Sequence, residues 1–226
     1  MTGAIRLARI PIFSGFKPAE LDELAKLLRA QKVGKGDVVF RKGSEGSALY
    51  FIESGAIKII LPSVLGDERI VAVFSDGDFF GEMALLDGMP RSADAIATEP
   101  THLFALNRSD FLRFLKKNET VMVRLLSTLS RRLRKTDELL RDASFLNIPA
   151  RLAKKLLELG EVFGQPGDNT IEIKTNFSQK ELADMIGATR ESINKELRVL
   201  REKKLISLTE NSIIVHNVKR LRRRIH

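Results

Sequence analysis

Hydrophobic and polar positions change period three times along this chain. Between residues 16 and 31, Leu21, Leu24, Leu27 and Leu28 follow helical spacing behind Pro18, which predicts a short amphipathic helix. The period then falls to two. Val38-Val39-Phe40, Ala48-Leu49-Tyr50-Phe51-Ile52, Ala56-Ile57-Lys58-Ile59-Ile60, Ile70-Val71-Ala72-Val73-Phe74, Ala95-Ile96-Ala97 and His102-Leu103-Phe104-Ala105-Leu106 are short β-like runs. Gly34, Gly36, Gly43, Gly46, Gly55, Gly66 and Gly77 punctuate them. Many short strands between glycine turns predict an antiparallel roll or barrel.

From about Asn118 to Ala143 the helical period returns. Met122, Leu126, Leu129, Leu133, Thr136, Leu140 and Ala143 are spaced 4, 3, 4, 3, 4, 3, an unbroken heptad seam. Such a seam predicts two copies of the helix pairing in a parallel homodimer; the alternative is one face packed on its own domain. Thr136 is the polar member, and a polar group on a seam costs stability unless it sets register or meets something. Asn147-Ile148-Pro149 breaks the helix, more helix follows, and Gly164-Gln165-Pro166-Gly167-Asp168-Asn169 reads as a loop.

The last segment carries a sharper pattern. Ser178-Gln179-Lys180-Glu181 is a capping box, in which hydroxyl and carboxylate each satisfy a free backbone N–H at a helix start. Leu182, Ala183 and Ile186 give that helix an apolar face, Gly187-Ala188 a tight turn, and Thr189 an N-cap for a second helix built on Ile193, Leu197 and Leu200. Helix, glycine turn and helix make a helix-turn-helix. Its exposed face holds Arg190, Glu191, Asn194 and Lys195, side chains suited to base edges in a major groove. With Ser178, Gln179 and Thr189 at the two helix starts, these are the expected DNA-binding residues. Leu205-Ile206-Ser207-Leu208, Glu210-Asn211-Ser212 and Ile213-Ile214-Val215 read as a hairpin wing.

Charge agrees with this division. The formal net charge is +9; residues 1–115 are close to neutral and the excess lies from residue 116 onward. A basic back half suits a polyanion, although a solvated lysine- and arginine-rich face would look the same. The arginines of the tail, Arg220, Arg222, Arg223 and Arg224, could meet phosphate or only water. There are no cysteines and three histidines, which excludes disulfides and thiol catalysis and leaves no expected metal site. No nucleophile–base–orienter set is visible, so an enzyme is not expected. Apolar runs are too short to cross a membrane, and Met1-Thr2-Gly3-Ala4-Ile5-Arg6 is unlike a secretory signal, so a soluble cytoplasmic protein is expected.

One further block carries chemistry. Phe80-Gly81-Glu82-Met83-Ala84-Leu85-Leu86-Asp87-Gly88-Met89-Pro90-Arg91-Ser92-Ala93-Asp94 places a glycine before a single helical turn, whose backbone N–H groups suit an anion. Arg91 supplies a planar fork for phosphate, Ser92 a hydroxyl, and Glu82 an acceptor for sugar hydroxyls. The plainer reading is a surface turn with Arg91 paired to Asp94 or Glu82.

This fifteen-residue run resembles the phosphate-binding cassette of cyclic-nucleotide-binding domains. Followed by a seam helix, a helix-turn-helix and a wing, it resembles the CRP/FNR family of bacterial transcription regulators, from about Ile10 to Val215. It is similar to the cyclic AMP receptor branch, since the cysteines and haem ligands of other branches are absent. The resemblance implies an α+β protein: a cyclic-nucleotide-binding antiparallel β-roll over 1–117, a dimerisation helix over 118–145, and a winged helix-turn-helix over 146–226. It implies that Gly81 and the backbone after it, at Met83 and Ala84, hold a cyclic phosphate with Arg91 and Ser92, and that Glu82 holds the ribose. Thr136 would bond the base. Asp137 stands where such receptors commonly carry a serine, which leaves cyclic AMP as first expectation and cyclic GMP or cyclic di-GMP, or a constitutive regulator, as the alternative. Arg190, Glu191 and Lys195 would read a TGTGA-like half-site of a two-fold symmetric double-stranded DNA. RNA polymerase is the implied protein partner.

Overall fold

The computed structural model describes Leu7 and residues 10–63, 68–174, 177–209 and 212–225. The glycine at 66, the wing residues Glu210 and Asn211, and the segment Met1–Arg6 lie outside the described residues. The chain divides into two compact units, one up to Arg134 and one from Lys135 onward.

The first unit begins with a 3-10 turn, Pro11–Phe13, and helix α1, Pro18–Leu27. Eight strands follow: β1 (Arg29–Val33), β2 (Val38–Phe40), β3 (Ala48–Ser54), β4 (Ile57–Pro62), β5 (Glu68–Phe74), β6 (Phe79–Phe80), β7 (Asp94–Ala97) and β8 (Thr101–Asn107). A one-turn helix, α2 (Met83–Asp87), sits between β6 and β7. The strands form two antiparallel sheets, ordered β1-β8-β3-β6 and β2-β7-β4-β5. Period-two alternation explains how they stack. Ile52 and Leu103 of the first sheet meet Ile57, Ala95 and Ala97 of the second in one core. Leu49 and Phe51 point the other way, onto a second core with Leu21 and Leu24 of α1 and with Phe111 and Leu115 of α3 (Arg108–Lys117).

The helix expected over 16–31 is shorter than its pattern. It ends at Leu27, and Arg29–Val33 is a sheet-edge strand paired with β8, Arg29 opposite Ala105 and Val33 opposite Thr101. Ladder hydrogen bonds prevail over weak local preference in that mostly exposed, polar stretch. Helix α3 is an addition to the expected elements, started by Asn107, whose side chain accepts from the Asp110 N–H.

Helix α4 spans Glu119–Phe145. Val121 and Leu125 are buried in the core of the first unit. The heptad seam is a different stripe: Met122, Leu126, Leu133 and Leu140 are 39%, 57%, 63% and 69% exposed. Packing on its own domain therefore accounts for one face of α4 and half-buries the seam residue Leu129, but leaves Met122, Leu126, Leu133 and Leu140 exposed.

In the second unit the end of α4 is tied to α5 (Ile148–Phe163) by ion pairs, Lys135 to Glu158 at 2.8 Å and Lys154 to Asp142. Asn147 caps α5 by accepting from the Ala150 N–H. The loop expected over 164–169 contains a strand: β9 (Gly164–Pro166) pairs antiparallel with β10 (Ile171–Lys174). Gly164 is required there by close packing, since a Cβ would lie 2.1 Å from the Gly160 carbonyl oxygen. Helices α6 (Gln179–Ile186) and α7 (Arg190–Glu202), strands β11 (Ile206–Leu208) and β12 (Ser212–Val215), and helix α8 (Val218–Arg222) complete the unit, with the sheet ordered β11-β12-β10-β9.

Candidate ligand cleft and nucleic-acid interface

A cleft of about 550 Å³, counting its open mouth, lies beside α2 in the first unit. Gly81, Glu82, Met83, Ala84, Arg91 and Ser92 all line it, so the structure brings these six expected residues together. Gly81 has φ +82, a left-handed conformation that favours glycine. A Cβ there would lie 2.6 Å from Arg91 Nη1. Glycine thus lets Arg91 reach under the turn.

Arg91 is 4% exposed and, among the described residues, has no carboxylate partner in contact. Its Nη1 and Nη2 each donate at 2.6 Å, to the carbonyls of Gly81 and Ala48. Its guanidinium lies 4.1 Å from the centroid of the Phe40 ring. Those bonds use two of the five N–H donors of a guanidinium, and Nε is buried with no partner among the described residues. Burial pushes the group below its ordinary arginine pKa, against the favourable charges of Tyr50 and Glu82. The plainer expectation, a surface pair with Asp94 or Glu82, does not hold: Asp94 accepts from Arg41 at 2.9 Å and from the Lys42 N–H at 2.6 Å.

Glu82, also 4% exposed, is held by Arg132 of α4 at 2.9 Å. Arg132 also donates to the Phe79 carbonyl, and it stacks 4.2 Å from the Phe74 ring centroid. Ala84 is buried, and Gly46 makes room for it, since a Cβ on Gly46 would meet the Ala84 Cβ at 2.3 Å. Ser92 is exposed and donates to the Met83 sulfur at 3.7 Å. The first N–H groups of α2 have no partner inside the helix. A buried cation with spare donors, a hydroxyl and free N–H groups can hold a small anion, and Glu82 can accept from a hydroxyl beside it. Thr136 and Asp137 belong to the second unit, exposed on α4, and are not in the lining. Arg132 is the charged lining residue that sequence reasoning missed, along with the apolar wall of Phe40, Ile59, Ala72 and Phe74. It sits one turn before Thr136, and its signal was indirect: a buried acid at 82 needs a cation.

In the second unit the capping box is formed: Ser178 Oγ accepts from the Glu181 N–H, and Glu181 Oε2 accepts from the Ser178 N–H at 2.9 Å. Gly187, φ +63, ends α6, and Thr189 caps α7 by accepting from the Ser192 N–H. Ile193, Leu197 and Leu200 are buried, while Arg190, Glu191, Asn194 and Lys195 stand exposed together. Glu191 is held below the usual carboxylate range by its own backbone N–H and then by the Thr189 hydroxyl. Strands β11 and β12 pair as expected for a wing, Ile206 opposite Val215 and Leu208 opposite Ile213.

Residues 30–118 match the cyclic nucleotide-binding domain family, and residues 150–224 match the Crp-like helix-turn-helix domain family. The CRP-like cAMP-activated global transcriptional regulator of Mycobacterium tuberculosis is 32% identical over 96% of this chain and 97% of its own. The chain belongs to the CRP/FNR family. The cyclic AMP receptor protein of Thermus thermophilus is 33% identical over 91% of this regulator and 92% of its own length. In fold, it is similar to the c-di-GMP responsive global regulator CLP of Xanthomonas campestris, with TM-score 0.75 and 20% identity, covering 89% of this chain and 100% of that one. This family member is therefore a DNA-binding transcription regulator with a cyclic-nucleotide-binding domain, and not an enzyme. No helix among the described residues is long and apolar enough to cross a membrane.

The basic tail has a definite place in its unit. Helix α8 packs against α5, and Arg224 reaches Glu196 at 3.8 Å. Glu196 lies roughly 160° around α7 from Asn194, given about 100° per residue. Arg220, Arg222 and Arg223 are exposed on and just after the short helix that the Arg224–Glu196 contact ties to the face of α7 opposite Asn194. Replacing all three by Ala should leave the salt slope of binding to a short site duplex unchanged. A fall of about 0.9 in the log–log slope per residue, in anisotropy titrations over a salt series, would show phosphate contacts instead.

Proposed function

We propose that this regulator is gated by cyclic AMP and acts as a homodimer. The carrying observation is Arg91, buried with spare donors at the wall of an open cleft. Arg91, Ser92 and the N–H groups at Met83 and Ala84 would hold the cyclic phosphate, with Gly81 allowing close approach, and Glu82 would accept from the ribose hydroxyl. Thr136 and Asp137 of α4 would meet the base, and the exposed seam of α4 would pair two copies. Each copy then presents Arg190, Glu191, Asn194 and Lys195 to one half of a two-fold symmetric duplex, positioned by Ser178, Gln179 and Thr189. A cytoplasmic setting with RNA polymerase as partner fits that role. A second reading, in which a guanine nucleotide such as cyclic GMP or cyclic di-GMP is the ligand, is favoured by Asp137, whose acceptor-only carboxylate matches the N–H edge of guanine.

Gating requires ligand contacts that differ between two states. Calorimetric titration with cyclic AMP, cyclic GMP and cyclic di-GMP, paired with DNA-binding curves, tests it. Cyclic AMP should bind tightest and raise DNA affinity about 5- to 150-fold. Thr136→Ala should lower that enhancement while leaving the melting temperature nearly unchanged. Equal DNA affinity with and without every nucleotide would establish a constitutive regulator instead.

A further inference from the structure

We infer that Asn194 reads an adenine, adding an A·T pair to each half-site beyond the pairs met by Arg190, Glu191 and Lys195. The inference rests on α7 being the reading helix. At about 100° per residue, and with Arg190 as zero, Asn194 lies near 40°, Arg198 near 80°, Glu191 near 100° and Lys195 near 140°. Asn194 is thus inside the arc bounded by Arg190 and Lys195. It is the neutral member of that arc, since the others, Arg190, Glu191, Lys195, Arg198, Arg201 and Glu202, each carry a charge.

No structural duty explains it. Asn194 is exposed, and among the described residues it has no hydrogen-bond or ion-pair partner. Thr189 already caps α7, so the amide has no capping role. Inside a helix, Asn is a poorer choice than Ala, Lys or Glu, because its side chain competes for backbone hydrogen bonds in other conformations. The chain thus places an unfavourable helix former, with an unengaged carboxamide, in the middle of the surface offered to a groove.

The chemistry selects the base. A carboxamide carries one acceptor and one donor group side by side. In the major groove, adenine presents the N6 donor beside the N7 acceptor, and that pairing matches Asn in a bidentate manner. Guanine offers two acceptors at the same edge, and cytosine a donor alone. The side chain is short, so the base must lie where the helix enters deepest. Asn194, one turn in from Arg190, occupies that part of the helix.

The test is a base-by-base preference matrix for the full-length protein, wild type and Asn194→Ala, measured with and without cyclic AMP on a duplex selected by the wild type. Arg190→Ala serves as reference. The wild type should prefer adenine at one position per half-site by about 5- to 150-fold. Asn194→Ala should reduce that to under about twofold, keep the remaining preferences, and melt no lower than the wild type. An unchanged matrix for Asn194→Ala, alongside a matrix altered by Arg190→Ala, overturns this inference and leaves α7 as the reading helix. A uniform loss across all sequences makes Asn194 a phosphate contact and also overturns it. A wild type with no base preference at any position overturns both.

Discussion

Arg91→Ala should bind cyclic AMP at least about tenfold more weakly than the wild type, a loss of about 1.4 kcal/mol. Charge-assisted hydrogen bonds contribute on the order of 1.5–3 kcal/mol, and more in a shielded site. Arg91 is nine-tenths buried and more, its Nε unpartnered and its guanidinium fixed over Phe40. The site is therefore pre-formed, and little ordering cost is left for the ligand to meet. The same side chain ties the carbonyls of Gly81 and Ala48, so the truncation also weakens the turn. Arg91→Lys separates the two effects, because an ammonium keeps the charge but cannot span two carbonyls and a phosphate in one plane. Isothermal titration and thermal melting together read the outcome. A variant that keeps its melting temperature and binds the nucleotide as tightly as the wild type would show that the phosphate lies elsewhere.

A larger effect is expected from the seam. Leu133→Asp combined with Leu140→Asp should raise the dimer dissociation constant by about 1,000-fold or more. Burying a leucine contributes roughly 1.5–3 kcal/mol, and each substitution acts in both copies. Both positions are more than three-fifths exposed in the single chain, so its fold should survive. Val121 and Leu125, buried in the first unit, are the contrast: polar substitution there should cost stability of the monomer itself. Sedimentation velocity would follow the association, and melting curves the fold. A wild type that is monomeric at high concentration, or a variant that remains a dimer, overturns the pairing.

Most of this architecture was legible because strong periodicity and specific turn chemistry coincide with it. Six apolar positions and Thr136, at heptad spacing, marked the long helix, and the Ser178–Glu181 box, Gly187 and Thr189 marked the two short ones almost to the residue. What escaped notice depends on distant partners. Strand β1 is polar and exposed, and exists because β8 offers it a ladder. Strand β9 hides in a run of glycine and proline whose meaning is close packing against α5. In the cleft, residues local to one motif were found together, whereas Arg132 comes from fifty positions away and has no marker of its own.

The pairing of Glu82 with Arg132 carries a consequence for descent. Losing Arg132 alone would leave the buried Glu82 carboxylate without its cation, a loss of several kcal/mol, whereas losing Glu82 alone would leave Arg132 partly exposed and still donating to the Phe79 carbonyl. A lineage can therefore lose the acid before the base at less cost than the base before the acid. Relatives that keep an acid at the position of Glu82 should keep a base at the position of Arg132, whereas the base without the acid should be tolerated.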